Sequence, residues 1–576
     1  MPTVADALWK MLADAGVHRC YGIVGDALNP VIDALRRDGG IDFVHVRHEE
    51  WGVFAAVAEA KMTGRPVAVC GTAGPGVSHL INGLIDARKE GAPVIAIAGD
   101  VETALMDSEG LEELNPYQFF STASLYTGRL VDPKQLRAVV TSAVTTALVE
   151  QGPTVISIPG DVAAADAPDI PMRINLPNTD PGPAPDADIA TMAEIINSGG
   201  TVAVFGGDGC AKARRQVLAL ADKLNAPVGY SFKGKQWLEY DNPNAVGMTG
   251  LLGYGGCWEA VNHADVLLML GTDFPFPEFL PSSGVQVVQV DRDGRRLGRR
   301  VPLAHGLVGD VAATLDRLLP QISPKSDDGF LRKCLKKTEH FDKRLQHYVE
   351  RGPGLKQIRP EYLVATLDRL AADDAVFTVD TGTACIWAAH YLHFGPNRHL
   401  FGSLTWASMA SAAPNAFGAK MAFPDRQAIA LCGDGGFTML GLGDLLTGVQ
   451  RKTEVVHIIL NNSKLDFVWI EMQEAGLQPW GVDFQNPDFA KVGEALGAKG
   501  IRIEHPADVE PGLKEALSHR GGPVVVDVLV DPYALSLPAH IPADVAEGFT
   551  LSVAKRALSG HLGEVVKEVT HNARLL

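Results

Sequence analysis

Two polar segments late in the chain carry residue types that can hold a divalent metal against a diphosphate. The first is Gly-Asp-Gly-Gly at 433–436, which follows an apolar run at 427–432 that predicts a short buried strand. Its glycines allow a tight turn that presents N–H groups to phosphate oxygens. Asp434 adds a carboxylate oxygen, and Asn462 adds an amide oxygen after a second predicted strand at 455–460. Mg²⁺ prefers hard oxygen ligands shared with phosphate groups, so the pattern predicts a magnesium–diphosphate site.

Each of these segments has an ordinary alternative when it is taken alone. Gly-Asp-Gly is a common turn, and Asn461-Asn462 after a strand is typical of a loop. Together, each after an apolar strand, the two segments resemble the thiamine diphosphate motif. This interpretation requires a second half of the site elsewhere in the chain.

A candidate for that second half is Arg-His-Glu-Glu at 47–50. A predicted strand at 43–46 precedes it, and an alanine-rich helix follows it. In thiamine diphosphate chemistry, a carboxylate on the aminopyrimidine ring promotes removal of the proton from thiazolium C2. In this enzyme class the acid directly follows the strand in a His-Glu pattern, so the resemblance assigns the role to Glu49 rather than Glu50. A solvated helix start is the alternative, because glutamate is common in a first turn.

The elements that must position these residues alternate between helical and β-rich patterns. This alternation predicts an α/β fold of βαβ units, with parallel sheets flanked by helices. At roughly 100–200 residues per domain, a chain of 576 residues predicts three or four domains. We place three α/β domains at 1–165, 187–322 and 360–535, with linkers between them and a tail at 536–576.

Composition limits the class of protein further. A net charge of −17 argues against nucleic-acid binding. Seven scattered cysteines without a Cys-x-x-Cys pair favour a reduced, cytoplasmic protein. We expect no signal peptide, and no run reaches the ~18 apolar residues of a membrane-spanning helix.

The chain resembles the thiamine-diphosphate-dependent pyruvate oxidase and pyruvate:quinone oxidoreductase family essentially from end to end. The matching stretches are 47–50, 74–79, 80–83, 240–243, 246–251, 270–274, 433–436 and 461–463. The resemblance implies a pyrimidine-binding domain, a central flavin domain and a diphosphate-binding domain, with thiamine diphosphate, Mg²⁺ and FAD as cofactors. It also implies an active site shared between two chains, and therefore a homo-oligomer, with a dimer of dimers expected.

The resemblance also implies which residues hold the thiamine cofactor. The expected metal ligands are oxygens of Asp434, Asn462 and the backbone carbonyl of Lys464. The residues expected around the rest of the cofactor are Gly435, Gly436, Ser408 and Thr381. Met409 would wedge beneath the cofactor and bend it, although methionine also fills gaps in ordinary cores.

The implied catalytic set is Glu49 from the partner chain, with His79, Phe467 and Glu471. Glu471 corresponds to a second acid beside the thiazolium, and an exposed helical glutamate is its alternative. His79 lies in a Gly-Pro-Gly loop and is a candidate contact to the substrate. A histidine with a purely structural role is the alternative.

The assignment of FAD depends on the central domain. The residues at positions where the family contacts FAD are Gly207, Gly209, Thr249, Gly250, Leu251, Gly271, Thr272, Asp273 and Asp291. Glycines permit close approach of the backbone to a dinucleotide, and an acid after a strand accepts hydrogen bonds from ribose hydroxyls. The segment has no Gly-x-Gly-x-x-Gly fingerprint, so FAD is implied by the resemblance alone.

The implied reaction is oxidative decarboxylation of a 2-oxo acid, with pyruvate giving acetate and CO₂ and with electrons passing to quinone or oxygen. The sequence departs from the family pattern at Leu111, Glu112, Trp406 and Trp469. A carboxylate at 112 would repel an anionic substrate unless it is protonated or turned away. These departures leave open a non-redox decarboxylase or carboligase, similar to acetolactate synthase, with a structural flavin. A homologue that binds nucleotides without catalysis is a third alternative.

The tail carries an apolar stripe at helical spacing, formed by Leu551, Leu558, Leu562, Val565, Val566 and Val569. It resembles the amphipathic end by which quinone-linked family members attach to membranes, so we expect peripheral contact with the inner face of the cell membrane. The alternative is a helix packed on the protein's own surface.

Overall fold

The computed structural model describes residues 2–176, 178–535, 543–559 and 561–572. These residues form three α/β units that follow one another along the chain, each with a parallel or mainly parallel sheet between helices. The predicted α/β fold class is therefore confirmed. Within the described residues, no helix is both long enough and apolar enough to span a bilayer.

The first unit contains the predicted Glu49 segment. Its strands are β1 (Arg19–Gly22), β2 (Asp42–His45), β3 (Val67–Gly71), β4 (Val94–Asp100), β5 (Tyr126–Arg129) and β6 (Thr154–Pro159). Its helices are α1 (Val4–Asp14), α2 (Asn29–Asp38), α3 (Glu49–Thr63), α4 (Pro75–His79), α5 (Ile81–Glu90), α6 (Pro116–Phe119), α7 (Leu136–Glu150) and α8 (Gly160–Ala164). The strands pair in parallel in the order β2-β1-β3-β4-β6-β5. β4 is buried along its whole length, as expected for a strand covered by helices on both faces.

The central unit contains the predicted flavin residues. Its strands are β7 (Val202–Gly206), β8 (Val228–Tyr230), β9 (Ala245–Met248), β10 (Tyr254–Gly255), β11 (Val266–Leu270), β12 (Gln286–Asp291) and β13 (His305–Val308). Its helices are α9 (Asp186–Ser198), α10 (Arg214–Leu224), α11 (Phe232–Leu238), α12 (Cys257–His263) and α13 (Val311–Leu318). The strand order is β10-β9-β8-β7-β11-β12-β13, and only the short β9–β10 pair is antiparallel among the described strands of this sheet.

The segment between 322 and 360, predicted as a linker with one helix, holds the 23-residue helix α14 (Gly329–Arg351). One face of this helix is buried, through Leu331, Cys334, Phe341, Leu345 and Tyr348. It packs against β10 and against the first helix of the next unit. The segment is therefore part of the packed structure, and its charged outer face accounts for its polar composition.

The third unit contains the predicted metal motif. Its strands are β14 (Val376–Val379), β15 (His399–Gly402), β16 (Ala428–Gly433), β17 (Val455–Asn461), β18 (Lys499–Ile503) and β19 (Val524–Leu529). Its helices are α15 (Pro360–Leu370), α16 (Thr383–Tyr391), α17 (Ala412–Ala422), α18 (Asp434–Gly436), α19 (Leu442–Arg451), α20 (Asp466–Glu474), α21 (Phe489–Ala495) and α22 (Val509–Ser518). The parallel strand order β15-β14-β16-β17-β19-β18 repeats the plan of the first unit. A π-helical turn at Phe437–Gly441 joins α18 to α19.

The described part of the tail forms α23 (Ala543–Leu558) and α24 (Leu562–His571), while residues 536–542 lie outside the described ranges. α23 packs on α20, and the two tail helices are held by buried polar side chains. Arg556 pairs with Glu568 at 2.6 Å, and Asn572 accepts a hydrogen bond from Arg359 at 3.2 Å. In the predicted apolar stripe Val565 is buried, whereas Leu551, Leu558, Leu562, Val566 and Val569 are exposed.

Candidate active site

The predicted metal ligands meet at one edge of the third sheet. β16 ends at Gly433 and the neighbouring parallel strand β17 ends at Asn461, with Gly433 paired to Leu460. Because the carboxyl ends of paired parallel strands lie side by side, the residues that follow them are adjacent. Asp434, at the start of α18, and Asn462 therefore lie together.

The Asp434 carboxylate is held by donors from three separate positions along the chain. Its Oδ2 accepts hydrogen bonds from the backbone N–H groups of Asn462 at 3.0 Å and Ser463 at 2.7 Å. The same oxygen accepts from Asn486 Nδ2 at 2.8 Å, and Oδ1 accepts from the N–H of Gly435 at 2.8 Å. Burial raises the pKa of the Asp434 carboxyl above its usual value, while these donors oppose the rise. Asn486 was not predicted, because nothing in its local sequence marks it as a partner of a residue 52 positions away.

The other two predicted ligands, Asn462 and Lys464, come directly after the end of β17. The Asn462 side-chain oxygen accepts a hydrogen bond from the N–H of Lys464 at 3.1 Å, and Ser463 between them has a left-handed φ of 57°. The Lys464 ammonium group donates to the carbonyl of Pro532 at 3.3 Å and lies 4.3 Å from the centre of the Trp469 ring. In the described residues no three His, Cys, Asp or Glu side chains are grouped to bind a metal. The donor set here is instead one carboxylate with amide and carbonyl oxygens, which fits Mg²⁺ bound together with a diphosphate.

One cavity of about 1900 Å³ joins this edge of the third sheet to the central unit. Its lining includes predicted residues of the thiamine site: Thr381, Met409, Asp434, Gly435, Gly436, Asn462, Lys464, Phe467 and Glu471. It also includes predicted residues of the flavin site: Gly209, Thr249, Gly250, Leu251, Gly271, Thr272, Asp273 and Asp291. The two sets of residues therefore share one continuous space.

The glycines of the motif leave room where side chains would collide. A Cβ on Gly435 would lie 3.2 Å from Met409 Cε and 3.0 Å from Leu465 Cδ2. A Cβ on Gly436 would collide with the Asp380 carboxylate. Asp380 in turn accepts hydrogen bonds from the N–H groups of Ala412 at 2.8 Å and Gly433 at 3.1 Å, and burial raises the pKa of its carboxyl to about 7.

Ser408 is not brought into the cavity lining, unlike its neighbour Met409. Its N–H donates to Ser403 Oγ at 2.8 Å, and its hydroxyl donates to the carbonyl of Met409 at 3.0 Å. Both of its donors are thus already used within the loop. The contact of Ser408 with a diphosphate stays a prediction.

The cavity wall beside the metal edge carries two acids. Burial raises the pKa of Glu471, the predicted second acid, which lines the cavity with Phe467. Asp466, which was not predicted, also lines it; burial raises the pKa of its carboxyl to about 7. Within the described residues, Asp466 Oδ1 is buried without a hydrogen-bond partner.

The first unit builds its half of the site around Glu49. Glu49 begins α3 and is 4% exposed, and His79 Nδ1 lies 2.9 Å from its Oε2. The His79 ring stacks on His48 with 4.5 Å between ring centres. This contact places His79 beside the predicted catalytic acid, which the sequence pattern alone did not indicate.

Asp444 of α19 fixes the backbone that leads into Glu49. Its carboxylate accepts hydrogen bonds from the N–H groups of Arg47 at 2.8 Å and His48 at 3.1 Å. Burial raises the pKa of the Asp444 carboxyl to about 6. Within the described residues, neither Glu49 nor His79 lines the cavity that contains Asp434. In one chain the two halves of the predicted site therefore stand apart.

The end of the cavity lined by the predicted flavin residues offers an unused donor and several arginines that are paired with aspartates. The Thr249 hydroxyl is buried and has no hydrogen-bond partner among the described residues, and Gly250 beside it has a φ of 99°. Asp273 pairs with Arg299 and Arg300, and Asp291 lies 3.9 Å from Arg296. An orphaned hydroxyl and several arginines fit a ligand that carries hydrogen-bonding groups and a diphosphate.

The predicted glycines of the central unit have a second explanation. Gly207 does not line the cavity, and a Cβ on it would lie 2.9 Å from the Cα of Thr272. A Cβ on Gly209 would lie 2.6 Å from the Cα of Gly271. Both glycines therefore permit close approach between two loops of the protein itself.

The residues expected to reshape the pocket lie elsewhere in this chain. Leu111 is 89% exposed, Glu112 is exposed, and neither lines the cavity in the described structure. Trp406 donates from Nε1 to Asn82 at 2.6 Å. Trp469 is buried against Val482 and Leu535, so its indole fills a core and is not part of the cavity wall.

The sequence matches three domains described for thiamine pyrophosphate enzymes, an alternative name for thiamine diphosphate enzymes. These are the N-terminal TPP binding domain at residues 2–119, the central domain at 189–318 and the C-terminal TPP binding domain at 380–528. A Bacillus subtilis protein described as thiamine pyrophosphate-containing is 35% identical over 551 residues, which are 95% of each chain. Pyruvate oxidase of Lactiplantibacillus plantarum is 29% identical, covering 91% of this chain and 88% of its own. The large subunit of acetolactate synthase isozyme 3 of Escherichia coli is 28% identical, covering 96% and 99%.

Proposed function

We propose that this chain, which belongs to the thiamine pyrophosphate enzyme family, oxidatively decarboxylates a 2-oxo acid with the help of a bound flavin. The observation that carries the proposal is the single cavity that joins Asp434 and Asn462 to Thr249 and Asp291. A thiamine cofactor and a flavin would share this space, so electrons could pass between them without a carrier.

The residues of the proposed site would have different roles. Asp434, Asn462 and the Lys464 carbonyl would hold Mg²⁺, and Met409 faces the glycine turn where the cofactor would bend. Thiamine diphosphate, when bound, supplies a carbon nucleophile for the 2-oxo acid and a sink for the electrons left by CO₂. Glu49 would hold and move the proton of the aminopyrimidine, with His79 orienting its carboxylate. Glu471 and Asp466 are acids positioned to exchange protons with the substrate.

The end of the cavity beside the central unit would hold the flavin that the proposed oxidation requires. FAD, when bound, would accept two electrons, and water would supply the oxygen of the carboxylate product. The Thr249 hydroxyl and the arginines at 296, 299 and 300 would contact its ribityl and diphosphate groups. Quinone or oxygen is the proposed final electron acceptor.

The proposed substrate is pyruvate, which would give acetate and CO₂. The similarity to a protein named pyruvate oxidase supports it, and the shared cavity favours a flavin that takes part in the reaction. The second candidate is a non-redox decarboxylase or carboligase with a structural flavin. Glu112 in place of an uncharged residue and the similarity to acetolactate synthase support this alternative.

We further propose a homo-oligomer in which Glu49 reaches the cavity of a partner chain. The separation of Glu49 from the cavity in one chain supports this arrangement. Leu111 and Glu112 would approach the partner's cavity in the same way, which would account for their exposure here.

We also propose that the tail contacts a membrane surface. Its helices dock through Arg556, Glu568 and Asn572, and turn their leucines outwards. Two further exposed apolar residues, Leu477 and Trp480, follow α20, on which the tail packs. Arg556 is used inside this interface and is not available to lipid headgroups.

The experiment that decides between the candidates is anaerobic mixing of the flavin-loaded protein with a panel of 2-oxo acids. We expect pyruvate to bleach the oxidised flavin spectrum within a single turnover, with one CO₂ released per flavin reduced. CO₂ or an acyloin appearing while the flavin stays oxidised would support the non-redox candidate. Binding of thiamine diphosphate without turnover of any acid would contradict both.

A further inference from the structure

One face of α5 in the first unit holds a loop of the third unit. Asn82, Asp86 and Glu90 are spaced by four residues and therefore lie on the same side of the helix. Each of them bonds to the loop between Ser403 and Ser411, which carries Met409 into the cavity.

The central bond of this contact belongs to Asp86, which is fully buried. The Ser403 hydroxyl donates to Asp86 Oδ1 at 2.6 Å. The same hydroxyl oxygen accepts the N–H of Ser408 at 2.8 Å. Two consecutive hydrogen bonds thus link Asp86 to the residue that precedes Met409.

The flanking contacts secure the loop on either side. Glu90 accepts the N–H of Thr405 at 2.9 Å, and Lys233 of the central unit pairs with Glu90 at 2.7 Å. Asn82 donates to Ser408 Oγ at 3.1 Å and accepts from Trp406 Nε1 at 2.6 Å. The loop is therefore held at several points by side chains from outside the third unit.

The loop needs such support because its backbone is strained around Met409. Ala407 and Ala410 have left-handed φ values of 63° and 65°, which alanine rarely adopts. Met409 lies between them, with its Cε 3.2 Å from the place a Cβ on Gly435 would occupy. A loop released from α5 would relax and move the methionine away from the glycine turn.

We propose that Asp86 is a positioning residue that acts through Ser403 to keep Met409 opposite Gly435, and so sets the geometry of bound thiamine diphosphate. The inference rests on the proposed function, because it concerns the shape of that cofactor in that cavity. Asp86 itself touches neither the cavity nor the reacting atoms.

The protonation of Asp86 decides which substitution should preserve its role. Burial, followed by the charge of Glu90, raises the pKa of the Asp86 carboxyl to about 8, while Ser403, Lys233 and Lys61 oppose the rise. Burial and the charge of Glu90 therefore favour the neutral form of this carboxyl. An asparagine keeps the oxygen that accepts from Ser403 and should reproduce this state.

The test measures cofactor affinity and proton removal separately in the full-length protein with Mg²⁺ and thiamine diphosphate. Affinity is read from tryptophan fluorescence, and exchange of the C2 proton into D₂O is read by NMR after acid quenching. We expect D86A to bind the cofactor within about threefold of the unchanged protein but to exchange C2 at least about tenfold more slowly, because small misplacements are costly. D86N should recover exchange to within about threefold, because it keeps the acceptor oxygen.

Two further variants keep the test decisive. Ser403→Ala breaks the same link from the loop side, so it should slow exchange even where D86A does not fold. Glu59→Gln alters a matched buried carboxyl whose partners are Arg19 and Tyr21, away from the loop, and should leave exchange unchanged. Normal exchange in both D86A and S403A, or an equal loss in E59Q, would overturn the role of Asp86 but not the proposed function. Absence of exchange in the unchanged protein would overturn the proposed function as well.

Discussion

The carboxylate of Asp434 is oriented by hydrogen-bond donors of the protein itself. Two backbone N–H groups and the Asn486 amide all donate to Oδ2, which fixes the plane of the carboxylate. Partners of a metal ligand typically affect metal affinity almost as strongly as the ligand itself. Asn486 is thus the side chain by which a distant loop contributes to the proposed metal site.

Replacing Asn486 with alanine should weaken Mg²⁺-dependent binding of thiamine diphosphate by about tenfold, because Asp434 loses one of its orienting donors. The measurement is a fluorescence titration of the cofactor at several Mg²⁺ concentrations. Saturating Mg²⁺ should restore most of the affinity, since the ligands themselves remain.

Gln485→Ala is the matched control, because Gln485 is an exposed neighbour of Asn486. Equal losses in the two variants would indicate a general disturbance of the loop. An unchanged Mg²⁺ dependence in Asn486→Ala would contradict the orienting role.

The sequence was sufficient to place Asp434 beside Asn462 because both follow buried strands, and the ends of parallel strands meet. It could not identify Asp380, Asp444 or Asn486, since each acts through backbone groups or side chains far away in sequence. Such partners become visible only when the strands and loops are assembled. His79 could be predicted in part. Its motif marked it as a candidate, but its contact with Glu49 could be found only from the fold.

At the scale of elements, the strands were the most predictable part. The predicted strand at 427–432 is shifted by one residue from β16, and the predicted strand at 455–460 is one residue shorter than β17. Continuous apolar runs mark such buried strands clearly. A helix was predicted between 322 and 360, but its packing against β10 and α15 was not, because its charged face dominated a segment interpreted as a linker.

The tail follows the usual rule for amphipathic helices only in part. Apolar residues are expected to face the protein, and Phe549 and Val565 do so, but a buried Arg556–Glu568 pair and Asn572 also form the contact. Sequence periodicity located the apolar stripe but could not tell which face would be covered. The exposed leucines are the basis for the proposed membrane contact.

Replacing Leu558 and Leu562 together with glutamate should reduce flotation of the protein with phospholipid vesicles by at least about tenfold, because two apolar side chains no longer enter the bilayer surface. Catalytic turnover with a water-soluble acceptor should not change. Leu176→Glu, at an exposed leucine outside the tail, is the control. Vesicle binding that is absent in the unchanged protein, or unaffected by the double substitution, would contradict the tail's proposed role.

At the scale of the whole molecule, the first and third units share one strand order but carry different halves of the predicted site. Glu49 and His79 belong to the first unit, and Asp434 and Asn462 to the third. The single chain keeps Glu49 out of the cavity that contains Asp434. A symmetric pair of chains would bring each Glu49 to the other chain's cavity, giving two equivalent sites.

Two single variants should each abolish the chemistry by removing different halves of the site. Glu49→Gln should bind thiamine diphosphate but exchange its C2 proton at least about a hundredfold more slowly, as expected when a general acid–base group is lost. Glu50→Gln is its control, since the half-buried Glu50 contacts Asn82 instead of His79. Asp434→Ala should fail to bind the cofactor with Mg²⁺.

The most direct test of a site shared between chains is C2 proton exchange by particles that contain both of these variants. The two variants are coexpressed with different tags, and the particles are purified through both tags. One site of each mixed pair would lack both residues, and the other would be intact. Random mixing would therefore give about a quarter of normal exchange before purification. Purification through both tags would raise this to about half for a dimer and to about 0.3 for a dimer of dimers. Recovery to this level is the predicted result. Mixed particles as inactive as either variant alone would contradict a site shared between chains, and normal exchange by Glu49→Gln alone would contradict the role of Glu49.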